Sequence, residues 1–270
     1  MVAGPILVVD KNPGATSPNG PGRVRSWRLT DSWPLLQLFF LFTNLWAASP
    51  ALAQTFETLG GFSVDVGNST FSFVQLGAET PISESFAVEA QLVTSFLTFK
   101  SEEQGKTIKA EAPGVAPLIG LKYQLTDAST ISVLGGYQIK ETHSFGERPA
   151  FRNDNGAVLK LEFYSQLTAT TELLMLYRYA FAEQSHFGLM SLTREVLRFG
   201  SREQFALGLG FEAATSISTD FSQEQAAPLL HLSHRPTNAS LQLRIGVSHF
   251  ASGGRDHMVP HIGLTFRASF

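Results

Sequence analysis

From residue 54 to its end the chain alternates apolar and polar residues with a period of two. In the last segment Ile262, Leu264, Phe266, Ala268 and Phe270 share one face; Gly263, Thr265, Arg267 and Ser269 share the other. Leu241, Leu243, Ile245 and Val247 alternate with Gln242, Arg244, Gly246 and Ser248. Phe205, Leu207, Leu209 and Phe211 alternate with Gln204, Ala206, Gly208, Gly210 and Glu212. The segments around Phe86–Leu92, Val115–Gln124 and Leu159–Tyr164 repeat the pattern. Successive side chains of a strand point to opposite faces, so each segment predicts a strand with one apolar and one polar face.

A soluble sandwich also alternates, with its apolar face turned inward. Three features favour a membrane barrel instead. Many segments run unbroken for about ten residues or more, long for a soluble strand. The polar face is small and Gly-rich, as a crowded interior requires. The chain closes an alternating strand on Phe270. A terminal Phe there resembles the signal read by the outer-membrane insertion machinery, which would make that machinery and outer-membrane lipid partners.

Connections are expected at 79–84, 100–108, 125–128, 143–155, 167–171, 184–187, 199–203, 214–220, 235–238 and 250–256. The longest, 143–155, carries His143, Pro149 and Asn153-Asp154-Asn155-Gly156, and should be external. Exported barrels begin and end in the periplasm, which requires an even number of strands. A first strand over 59–66, turning at Gly67-Asn68, meets that condition and gives twelve. Ten is the alternative, because 184–203 alternates poorly. The predicted fold is thus all-β: a single antiparallel transmembrane β-barrel over 54–270.

The first 53 residues read as an address. Residues 1–22 are rich in Pro and Gly. Arg23, Arg25 and Arg28 form a positive region, and Leu35 to Ala48 an apolar one too short for a membrane span. Ala51-Leu52-Ala53 is a cleavage signal that places the cut before Gln54. The positive region starts unusually late, as if translation began near Val24.

Composition narrows the function. Net charge is −3, which argues against a nucleic-acid partner. The absence of Cys excludes disulfides, thiolate metal sites and a Cys nucleophile. Charged residues make up 16%, against about 25% in a soluble domain, while 22 Phe and a mean hydropathy of +0.04 fit a wall with one apolar face.

Three stretches resemble the cellulose biosynthesis protein BcsS family, small outer-membrane barrels of bacterial cellulose operons. The first is Phe71-Ser72-Phe73-Val74-Gln75-Leu76-Gly77, followed by Pro81. The second is Gly120-Leu121-Lys122-Tyr123 with Leu134-Gly135-Gly136-Tyr137. The third is Leu207-Gly208-Leu209-Gly210-Phe211-Glu212, where Phe211 replaces the usual Pro. The resemblance spans most of residues 60–270 and supplies no catalytic residue. It implies a non-enzymatic accessory of exopolysaccharide export, in contact with a glucan chain or with cellulose secretion proteins.

Candidate chemistry is sparse. The histidines are His143, His186, His231, His234, His249, His257 and His261. Ser144 and Ser185 adjoin two of them, but neighbours on a strand face opposite ways and make poor triad partners. His231 and Ser233 share a face. No Gly-x-Ser-x-Gly elbow, phosphate loop or cofactor motif is present, and His231-x-x-His234 reads as strand rather than a helical metal pair. The expectation is no enzyme, no metal and no cofactor. The inward face carries Asp65, Glu89, Lys122, Lys140, Lys160, Glu162, Arg178, Glu212, Arg244 and Arg267. They should pair with one another, either as a salt-bridged plug or as the lining of a polar conduit. A small porin-like channel and an outer-membrane lipid hydrolase are the competing functions.

Overall fold

The computed structural model describes residues 55–103, 106–145, 150–218, 221–252 and 255–270. The predicted leader, with Ala51 and Ala53, lies outside the described residues. The strands are β1 (Thr55–Asp65), β2 (Ser69–Pro81), β3 (Phe86–Glu103), β4 (Lys106–Thr126), β5 (Ser129–Phe145), β6 (Ala150–Asn153), β7 (Gly156–Thr168), β8 (Thr171–Ala180), β9 (Ser185–Phe199), β10 (Phe205–Ile217), β11 (Phe221–His234), β12 (Ala239–Ser252) and β13 (Arg255–Ser269).

All pairings are antiparallel, and β1 pairs with β13, setting Phe62 opposite Leu264 and Gly61 opposite Thr265. That pairing closes the sheet and leaves no edge. Both β6 and β7 pair with β5, at Glu141–Ser144 and Ser129–Gln138 respectively. Interrupted at Asp154-Asn155, they form one stave, and the barrel has twelve. Of the two even numbers expected, twelve is the one observed, because the doubtful stretch 184–203 contains a full strand, β9. The first strand is the one expected before Gly67, which turns at φ +82°; it begins earlier, at Thr55.

The turns 82–85, 127–128, 169–170, 200–204 and 235–238 lie at the end that holds Thr55 and Phe270. The segment between β5 and β7 lies at the other end. In an outer-membrane barrel short turns are periplasmic and longer loops external, so this second end is the outer one.

The outward side chains are apolar at mid-height on strand after strand. Val74, Ile119, Val133, Met175, Leu192, Leu209, Leu230, Ile245, Ile262 and Leu264 are all large apolar residues open to the surroundings, Ile119 at 64% and Leu264 at 44%. In water such a belt would be a contiguous apolar surface far beyond a few hundred Å²; in lipid it is the matching surface. Aromatic rings flank it at both ends. Phe86 and Tyr123 pair at 4.7 Å near the periplasmic turns, as Tyr179 and Phe181 do at the outer end. The chain is an outer-membrane-type transmembrane barrel.

The stretch that alternates poorly, 184–203, is one strand followed by a short turn. Two features blur its pattern. Inward positions Phe187 and Leu189 are apolar, facing Arg178 and Leu176 of β8. A bulge opposite Leu207/Gly208 then shifts the register, leaving Val196 and Leu197 both exposed.

Candidate functional site: the lumen

Strand parity turns all ten charged residues named above toward the interior, and the pleat leaves them few partners but each other. At mid-height Lys160 on β7 crosses the lumen. Its Nζ donates to Gln91 Oε1 on β3 at 2.7 Å and Gln75 Oε1 on β2 at 3.1 Å, and pairs with Glu162 Oε1 at 2.6 Å. β2 and β7 are separated along the wall by β3, β4 and β5, so the contact runs through the interior. Gln91 Nε2 donates to Glu89 and, at 3.3 Å, to Glu162 Oε2. Lys160 is 4% exposed and Gln91 2%.

Beside this polar bridge lies an apolar cluster of Ala116, Leu118, Leu134, Val158 and Ala180, backed by Val93. The bridge and cluster form a packed layer against the β2–β8 side of the wall. Glu89 Oε2 is buried in the layer without a hydrogen-bond partner.

The other charges pair above and below it. Toward the periplasm Lys122 meets Glu79 at 2.6 Å and Arg267 meets Glu57 at 2.8 Å. Arg244 Nη1 meets Glu212 Oε1 at 2.6 Å while its Nη2 donates to Thr265. Toward the outer end Lys140 meets Glu183 at 2.9 Å, and Arg178 donates to Gln138, which donates to Glu183. Burial alone would raise the Glu183 carboxyl, but Lys140 and Gln138 hold it below its usual range.

Asp65 is the centre of a second buried group. It accepts from Ser69 Oγ at 2.7 Å, from Gln223 Nε2 at 3.0 Å, from His261 Nδ1 at 2.8 Å and from Ser248 Oγ. Serine, histidine and acid are all present, yet the serine bonds the carboxylate rather than the imidazole. A nucleophile needs the opposite order, with the imidazole between the two. This group ties β1, β2, β11, β12 and β13 together.

The remaining histidines are dispersed. His186 bonds Tyr177 Oη at 2.7 Å, His234 bonds Thr237 at 2.8 Å, and His143 and His257 pack on Phe151 and Phe250. His249 lies 3.9 Å from Glu224. His231 and Ser233 line a periplasmic cleft of about 50 Å³ with Glu172 and Glu195, and His231 Nε2 is buried there unpartnered. Among the described residues no three His, Asp or Glu side chains gather as a metal site. At the periplasmic end Phe270 is largely exposed and its backbone pairs with Phe56.

Sequence reading missed the uncharged bridge residues Gln75 and Gln91, the amide Gln138 between Arg178 and Glu183, and the partners Glu57, Glu79 and Glu183. Parity assigns all but Glu183, which sits in a turn, to the inward face. The same parity turns Phe71 and Phe73 inward, against the expectation of a uniformly polar interior.

No protein-family model matches the chain, and no curated protein does. Similar solved structures exist. The translocator domain of the autotransporter NalP from Neisseria meningitidis is 12% identical, with 88% of this chain and 96% of that chain covered and a TM-score of 0.43. The β domain of the Bordetella autotransporter Brka is 11% identical, covering 80% and 98%, at 0.49. The KdgM porin is 11% identical, covering 79% and 99%, at 0.42. These likenesses carry nothing about substrate or activity.

Proposed function

We propose that this protein is a non-enzymatic outer-membrane accessory of exopolysaccharide export, with cellulose as the exported polymer. The observation that carries the non-channel part is the Lys160 bridge. A channel for solutes needs a continuous wet path, and the cation, two amides and an apolar cluster narrow that path from the β2–β8 side of the wall. The glucan part is supported by the BcsS resemblance, whose glycine motifs lie in β2, β4, β5 and β10.

Two measurements test the reading. Purified protein in planar bilayers should show no steady conductance. A strain lacking the gene should lose extracellular matrix and regain it on complementation. Stable open-channel conductance in the wild-type protein would replace this reading with a porin-like one; a deletion strain with intact matrix would remove the export role.

A further inference from the structure

We propose that the outer half of the lumen holds a carbohydrate subsite in which Phe71 and Phe73 of β2 stack against a pyranose ring. The proposal rests on the export reading above and names where the glucan would touch the barrel.

Both rings face the interior. Gln75 on the same strand bonds Lys160 through the lumen, and Phe73 and Phe71 lie two and four residues along on the same face. Lipid therefore cannot explain them. Phe71 is nevertheless 38% exposed, an unusual state for an aromatic side chain on an inward wall. The rings are stacked, with centroids 5.8 Å apart and planes inclined at 24°. Phe73 lies flat on β1, because the facing residue is Gly61. A Cβ at Gly61 would meet Phe73 Cε1 at 2.4 Å. The glycine lets the ring lie down against the wall and turn its other face to the lumen. Directly beneath, the Lys160 layer forms a floor.

Polar groups surround this platform. Ser63 pairs with Phe71 across β1, and Ser95 pairs with Phe73 across β3. Neither hydroxyl makes a side-chain hydrogen bond with a described residue. On β13, one strand beyond β1, the Arg244 guanidinium packs over Gly263 and is neutralised by Glu212. An apolar flat surface rimmed by free hydroxyls and a compensated ion pair matches a ligand with an apolar face, a hydroxyl rim and no net charge. A sugar ring has that form. An acyl chain would leave the rim unused, and a polyanion would meet Glu212 and Asp65.

The test uses the full-length protein folded in lipid nanodiscs, titrated calorimetrically with cellohexaose, a soluble β-glucan fragment. Wild-type protein should bind. Phe71→Ala and Phe73→Ala should each weaken binding roughly tenfold or more, as should Gly61→Val, which lifts the ring off the wall. Phe71→Trp should retain binding. Heat-modifiable gel migration verifies that each variant is folded. Phe71→Trp, the conservative change, keeps the test decisive where an alanine variant fails to assemble. Wild-type protein that ignores cellohexaose overturns the subsite, as does binding unchanged in Phe71→Ala and Phe73→Ala. Decanoate binding in place of the sugar would assign the rings to an acyl chain and equally overturn it. Matrix production separates the two ideas. Ring-dependent binding with an intact matrix in the deletion strain sinks the export role and keeps the subsite. Lost matrix without sugar binding does the reverse.

Discussion

The lumen bridge makes a quantitative prediction about Lys160. Its side chain is 5% exposed and that of its partner Glu162 is 22%, so neither charge is freely solvated. Lys160→Met removes the cation and leaves the half-buried Glu162 unpaired beside Glu89, whose Oε2 already lacks a partner. It also strips the donor from the carbonyl oxygens of Gln75 and Gln91. Removing one member of a buried pair costs about 3–5 kcal/mol. Replacing both members with neutral groups of similar size avoids the orphaned charge, so Lys160→Met with Glu162→Gln should cost about 1–2 kcal/mol, mainly lost hydrogen bonds. Urea unfolding of the barrel in lipid vesicles, followed by heat-modifiable migration, measures both. The single variant should unfold at clearly lower urea than the double. If the double variant is as weak as the single, or the single matches wild type, the buried Lys160–Glu162 ion pair along β7 is wrong.

Three further outcomes follow from the two faces and two ends of the barrel. Leu264 faces lipid at mid-depth, so Leu264→Lys should cost about 2–4 kcal/mol; Thr265→Lys, on the lumen face, should assemble better on the same gel assay. The reverse order would put the register of β13 out by one residue. Glu183 has a carboxyl held low by Lys140 and Gln138, so its contribution is present above the ordinary Glu pKa of about 4.3 and is lost as pH falls through the lower folded value. Acid should therefore lower the unfolding temperature, and Glu183→Gln should reduce that acid sensitivity; equal sensitivity in both would refute the pairing. Arg152, on the segment at the outer end and 65% exposed in its side chain, should accept an epitope that antibodies reach on intact cells. Labelling only after lysis would invert the orientation.

What sequence could say about this molecule follows from what sets a barrel's geometry. Period-two alternation is imposed by the pleat, and lipid demands that one face be apolar on every strand, so strands such as Phe205–Ile217 and Arg255–Ser269 are visible without coordinates. The even strand count follows from export and needs no three-dimensional information. The rule weakens where a strand's inward face is itself apolar. Phe187 and Leu189 on β9 turn apolar side chains to the interior, and the bulge near Val196 shifts the phase, so 184–203 alternates poorly. Phe71 and Phe73 are the same exception on β2.

Partners across the lumen were beyond reach for a different reason. Which of ten charges meets which depends on strand tilt and stagger, and these bring Lys160 to Gln75 across a sequence gap of 85 residues. A one-dimensional pattern holds the face of a residue but not its height in the barrel. The glycine motifs that carry the family resemblance show the converse. A Cβ at Gly120 would meet the Val133 carbonyl oxygen at 1.9 Å, and one at Gly136 the Pro117 carbonyl oxygen at 2.0 Å. Close approach of the neighbouring strand's backbone demands glycine at both places. Any small barrel whose strands approach that closely would need them, whatever it exports. The residues that could tell one barrel's function from another's are therefore those the wall does not require, and the exposed inward ring of Phe71 is the foremost of them.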